Sequence, residues 1–136
     1  SEQAIIVDNE VYNDVKAEFL AHNAYIVSSK AELAKLQAAV MLPDGHAVNP
    51  KIVGFSAKYI AELAGIKVPE ETKLLIAEIA GVGADFPLSR EKLSPVLAMV
   101  KANSTEEGLD LCEAMLDLGG LGHTAVIHTE DEDLLF

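Results

Sequence analysis

The side chains able to do covalent or acid–base chemistry are few. The 136 residues hold one cysteine, four histidines, and 22 Asp plus Glu against 10 Lys plus Arg. Cys112 sits among Leu109, Leu111, Met115, Leu116 and Leu118 at helical spacing, so it reads as a small apolar residue on a buried stripe. A thiol nucleophile needs a cation or a helix N-terminus to lower its pKa. Cys112 instead has Asp110, Glu113 and Asp117 nearby in sequence, which would raise it. Among His22, His46, His123 and His128 no two are four apart, the spacing that sets two imidazoles on one helical face around a metal. A lone cysteine excludes multi-Cys zinc sites, and no metal is expected. His22 follows a helix end and His46 lies in a turn. His123 and His128, five apart in a strand, point to opposite faces. His123 differs from the rest because it follows Gly119-Gly120-Leu121-Gly122, where glycine lets backbone approach a ligand or another segment. A structural hydrogen bond and a functional role both stay open for it.

The glycine clusters do not read as phosphate loops. Gly81-Val82-Gly83 lacks the following lysine and hydroxyl. Gly119 to Gly122 comes after a helix and before a strand, the reverse of a dinucleotide fingerprint. Carboxylates come singly, with no pair placed for two-carboxylate hydrolysis. Glu91, in Ser89-Arg90-Glu91-Lys92-Leu93-Ser94-Pro95, is either a salt-bridged loop glutamate or a carboxylate held at a strand mouth to accept from ligand hydroxyls.

These residues must be positioned by elements that the hydrophobic pattern outlines. Ala4–Val7 is a β-branched apolar run expected as a buried strand. Val11, Tyr12, Val15, Phe19 and Leu20 then recur as an amphipathic helix, ended by His22-Asn23. Tyr25–Val27 reads as a strand. Ser29 and Glu32 have capping-box spacing ahead of Leu33, Leu36 and Val40, and Pro43-Asp44-Gly45 reads as a turn. Asn49-Pro50 is a second helix-start signal, interrupted at Gly54. Ser56–Ala64 resumes helical spacing and Gly65 closes it. Lys73–Ala77 is expected as a strand, residues 81–90 as a loop, and Pro95–Val100 as a strand with proline at its first position. Ser104, three before Glu107, opens a helix that Gly119-Gly120 stops. Thr124–His128 is expected as a strand, and Thr129 opens a last helix. Strands alternating with helices imply an α/β fold with an at least partly parallel sheet.

Length and composition bound the rest. The chain is about one domain long, half apolar, with a formal charge of -12. That is too apolar for a disordered acidic tail. It is too acidic for a general nucleic-acid binder or an anionic membrane surface. No apolar run of 18 residues and no leader pattern is present, and one cysteine suits a reducing compartment, so neither secretion nor membrane crossing is expected. The abrupt strand at residue 4 and the apolar Leu134-Leu135-Phe136 end suggest a piece of a larger chain.

Four stretches carry a resemblance across nearly the whole length: SEQAIIVD at 1–8, KYIAELAGIKVPEETKLLIAE at 58–78, PLSREKLSPVLAM at 87–99 and LGGLGHTAVIHT at 118–129. They resemble the aldehyde dehydrogenase superfamily, and within it the acylating acetaldehyde dehydrogenase part of the bifunctional bacterial aldehyde-alcohol dehydrogenases. The resemblance implies a three-layer α/β/α fold with a mostly parallel sheet, forming part of the catalytic domain. The third stretch matches the family motif Glu-x-Phe-Gly-Pro, with its glutamate on Glu91 and its proline on Pro95. Glu91 is thereby implied to bind the nicotinamide ribose hydroxyls of NAD. The aromatic that packs near the nicotinamide falls on Leu93, and the glycine on Ser94. Both departures resemble the acylating branch. His123 resembles the histidine near the acyl or coenzyme A site. The catalytic cysteine of such proteins precedes the position of Ser1 by two residues, and the nucleotide-binding domain lies upstream too.

The implied parent reaction interconverts acetyl-CoA and acetaldehyde, in a cytoplasmic homo-oligomer that binds neither nucleic acid nor membrane, and residues 1–136 alone would be inactive. Two other readings are a non-catalytic α/β binding or assembly domain and an independent hydrolase.

Overall fold

The structure is a computed structural model that describes residues 4–119. Four strands form one sheet in the order β1-β4-β3-β2, with every pairing parallel. They are β1 (Ala4–Asp8), β2 (Ala24–Val27), β3 (Leu74–Ile79) and β4 (Val96–Ala102). The central strand β4 buries Val96, Ala98 and Val100 on one face and Leu97 and Met99 on the other. This is why it reads as a continuous apolar run rather than an alternating one.

Helix α1 (Tyr12–Ala21) covers one face, where Val7, Tyr12, Ile76, Leu97 and Met99 pack with Val15 and Phe19. Helices α2 (Lys30–Val40) and α3 (Ala57–Ala64) cover the other. There Val27, Leu36, Val40, Ile60, Ala61, Leu75, Ala77 and Val96 make the larger core. Each valine, leucine or isoleucine hidden in it contributes roughly 1.5–3 kcal/mol. Helix α4 (Thr105–Gly119) packs on β1 and β4. The expected layering of helices on both faces of a parallel sheet is therefore present.

Local chemistry sets the boundaries much as expected. Ser29 Oγ accepts from Glu32 N at 3.1 Å, Ser56 Oγ from Tyr59 N at 3.2 Å, and Ser104 Oγ from Glu107 N at 3.1 Å. Each satisfies one of the amides that a helix start leaves unpaired. Gly65 ends α3 in the left-handed region, φ 77°. The Asn49-Pro50 signal yields only a 3-10 turn, Pro50–Ile52, before Gly54. β3 runs two residues further than expected, to Ile79. β4 begins at Val96 rather than Pro95, whose carbonyl accepts from Leu75 N at 2.9 Å. The 81–90 loop holds a 3-10 turn at Pro87–Ser89. A bridge between Met41 and Val48 closes the Pro43–Gly45 turn, which the pattern had not indicated. The expected strand Thr124–His128, the helix at Thr129 and His123 itself lie outside the described residues. No helix among the described residues is long and apolar enough to cross a membrane.

Candidate active-site segment

Glu91 and Leu93 lie on the connection from β3 to β4, which enters the amino end of β4. The carboxyl-end rule for ligands in open α/β sheets therefore does not account for Glu91. The register Ala4↔Ala98 and Ile5↔Met99 sets the amino ends of β1 and β4 side by side, so this connection arrives at the edge from which β1 starts.

The connection is held by two fully buried polar side chains. Ser89 Oγ donates to Phe86 O at 2.6 Å and accepts from Gly83 N at 3.1 Å. Lys92 Nζ donates to Leu88 O at 2.6 Å and to Arg90 O at 2.7 Å. Burial lowers the Lys92 pKa to about 8, with the Glu91 carboxylate pulling the other way. On either side of buried Lys92, Glu91 and Leu93 are exposed. Glu91 makes no ion pair among the described residues, so the salt-bridged reading finds no partner there.

Leu93 is 51% exposed and has φ 49°. A left-handed leucine costs roughly 1–2 kcal/mol. Its carbonyl accepts from Gly54 N at 3.4 Å, tying the segment to the turn that follows Pro50–Ile52. Arg90 Nε and Ser94 Oγ, on either side, are buried atoms without a hydrogen-bond partner among the described residues.

An open groove of about 700 Å³ lies elsewhere, lined by Leu33 and Gln37 of α2 and by Met41 just after it, together with Ile79, Phe86 and Leu88. Neither Glu91 nor Leu93 lines it; although Leu88 of the same connection does, the exposed platform that carries these two side chains stands apart from the groove.

The other candidates stay apart from that platform. Cys112 is half-buried on α4, and burial pushes its thiol pKa up. The direction agrees with expectation, but the cause is desolvation rather than neighbouring carboxylates. His22 follows α1, donating its backbone amide to Glu18 and Phe19 carbonyls. The amide of His46 donates to Asp44 Oδ1 at 2.9 Å in the turn. Among the described residues no three His, Cys, Asp or Glu side chains gather as a metal site requires.

Two polar features were missed in the sequence. Lys92 passed as the variable position of the motif, because nothing local says that this charge turns inward. The other is Glu78, near the end of β3. It accepts from Tyr12 Oη at 2.5 Å and from Lys16 Nζ at 3.0 Å, while Lys101 Nζ lies 4.7 Å from the Tyr12 ring centre. Burial, with the Glu78 carboxylate, pushes the Tyr12 pKa up.

The chain is 48% identical over 131 residues to the aldehyde-alcohol dehydrogenase of Clostridium acetobutylicum. It superposes on an acetylating aldehyde dehydrogenase from Geobacillus thermoglucosidasius with a TM-score of 0.91 and 42% identity, over 99% of this chain. The chain belongs to the acylating aldehyde dehydrogenase family. Its parallel sheet flanked by helices is the architecture of that family's catalytic fold. Rhodopseudomonas palustris propionaldehyde dehydrogenase, solved with bound propionyl-CoA, is also similar, at 26% identity and a TM-score of 0.81 over 98% of this chain. No protein-family profile matches the chain. The matches cover 96–99% of this chain but 15% of the Clostridium relative, 29% of the Geobacillus structure and 28% of the Rhodopseudomonas one.

Proposed function

We propose that this chain is part of the catalytic domain of an NAD-dependent acylating acetaldehyde dehydrogenase that interconverts acetyl-CoA and acetaldehyde. The observation that carries the reading is the 87–95 segment. It presents a solvent-facing carboxylate without an ion pair among the described residues, next to an exposed leucine, on backbone anchored by Ser89 and Lys92. Those residues fit the nicotinamide riboside of NAD. The Glu91 carboxylate accepts from ribose hydroxyls, and Leu93 offers an apolar surface to the ring. NAD supplies or accepts the hydride. This chain's residues bind and orient, which matters for rate only when the reacting groups are held together.

The attacking thiolate is assigned to the family cysteine that precedes the position matching Ser1, not to Cys112. His123 is assigned to the acyl or coenzyme A site, where a neutral imidazole donates a hydrogen bond to thioester or thiol. The same reading makes the parent a cytoplasmic homo-oligomer and residues 1–136 inactive in isolation. Coenzyme A chemistry is supported by the bound propionyl-CoA of the Rhodopseudomonas relative.

Steady-state kinetics of Glu91→Gln in the full-length protein test this. Losing one charge-assisted hydrogen bond costs about 1.5–3 kcal/mol, so KM for NADH rises roughly ten- to a hundredfold while KM for acetyl-CoA stays within twofold. An unchanged KM for NADH overturns the assignment of Glu91.

A further inference from the structure

We propose that Lys92 is a positioning residue for the cofactor contact, holding the backbone of Glu91 and Leu93 through the carbonyls of Leu88 and Arg90; this rests on the nucleotide-binding role of Glu91. The side chain is fully buried, although it lies between two exposed neighbours. Its ammonium meets Leu88 O at 2.6 Å and Arg90 O at 2.7 Å. These contacts reach back four and two residues, closing the backbone from 88 to 92 into a loop with Glu91 on its rim.

A lysine suits this task because one tetrahedral nitrogen carries three donors. It can serve two converging carbonyls with a donor to spare, where a thioether offers none and a glutamine amide, with two donors, sits on a stem one bond shorter. Ser89, bonded to Phe86 O and Gly83 N, fixes the approach to the loop. The left-handed Leu93, joined to Gly54, fixes its exit. Between those two points the ammonium is what holds the loop shut. With the segment pinned at both ends and the lysine drawn inward, residues 91 and 93 are turned outward together, so a carboxylate and an apolar side chain share one exposed edge. A buried charge is an expensive way to fill core space; shaping a binding loop explains its presence better than packing does.

The test is a double-mutant cycle in the full-length enzyme, combining Lys92→Met with Glu91→Gln and reading KM for NADH, KM for acetyl-CoA and the melting temperature. Lys92→Met is expected to raise KM for NADH about tenfold, within what roughly 1 Å of misplacement can cost, with KM for acetyl-CoA within twofold. In the Glu91→Gln background it should add clearly less than tenfold, because the carboxylate contact it positions is already lost and only the Leu93 contact remains. Lys92→Gln, which retains two N–H donors on a side chain one bond shorter and uncharged, should fall between wild type and Lys92→Met, and it carries the test if the methionine variant does not fold. If Glu91→Gln weakens NADH binding and the Lys92 variants do not, the positioning role is wrong and the Glu91 assignment stands. A full additive effect in the Glu91→Gln background, or an equal rise in KM for acetyl-CoA, makes Lys92 a general structural residue and overturns the proposal. If Glu91→Gln itself changes nothing, both fall.

Discussion

Replacing Lys92 by methionine also has a consequence for stability that depends on pH. The amine titrates at about 8 in the folded chain rather than the usual 10.5, because burial penalises its charged form. That gap corresponds to about 3 kcal/mol, at roughly 1.4 kcal/mol per pH unit. The folded-state value is the lower one, so between about pH 8 and 10.5 the unfolded chain binds the additional proton and stability rises with pH. Below pH 8 both states are protonated and the full penalty stands. From about pH 7 to about pH 9.5, Lys92 alone should therefore add about 2 kcal/mol to the stability of the wild type. Methionine fills a similar volume without charge and removes this dependence. It also leaves the Leu88 and Arg90 carbonyls without their donor, at about 1–3 kcal/mol each when buried. Near pH 7 the relieved charge and the lost hydrogen bonds oppose one another, and the variant should lie within a few kcal/mol of wild type. Urea unfolding of full-length wild type and variant, in parallel at the two pH values, reads the difference and cancels every other titrating group. The wild type should gain about 2 kcal/mol on the variant across that interval. A difference that does not change with pH would show that no ammonium is held against its charge here, and the burial argument would be wrong.

Other outcomes follow from the packing. Tyr12→Phe removes a buried donor to the Glu78 carboxylate, which retains Lys16; a loss of about 1.5–3 kcal/mol should appear as a lower melting temperature and as faster amide exchange in α1. Gly65→Ala forces an alanine to φ 77° where nothing lies within 4 Å of the added carbon, so the cost of about 1–2 kcal/mol is conformational; Gly65→Asn, better tolerated in that region, should cost less. Cys112→Ala should leave thioester reduction by the full-length enzyme within twofold of wild type. Because burial pushes its pKa up, Cys112 should also alkylate more slowly near neutral pH than a free thiol; loss of turnover in the alanine variant would return this cysteine to consideration.

Much of the architecture was legible because it rests on short-range signals. Ser29 and Ser104 cap helices where their spacing to Glu32 and Glu107 indicated, and Ser56 caps the helix whose start the apolar spacing had placed there. Apolar runs became strands because a parallel sheet is covered on both faces, so its sequence need not alternate. Asn49-Pro50 misled in part, because Gly54 at φ 81° ends the turn before α-helix can propagate. The motif located Glu91 and Leu93, but their exposure depends on how residues 83–95 fold back.

By itself, the amino-acid sequence determined the element order over the described residues, most of the capping chemistry, the resemblance to acylating dehydrogenases and the direction in which the Cys112 thiol is shifted. Only the tertiary structure decided that the β3–β4 connection enters the amino edge of the sheet, that Lys92 turns inward between two exposed neighbours, and that Glu78 near the end of β3 meets Tyr12 and Lys16 of α1. The reason is range. Caps and periodicity are settled within a few residues, whereas the direction of a charged side chain depends on whether distant backbone offers acceptors in a space closed to water.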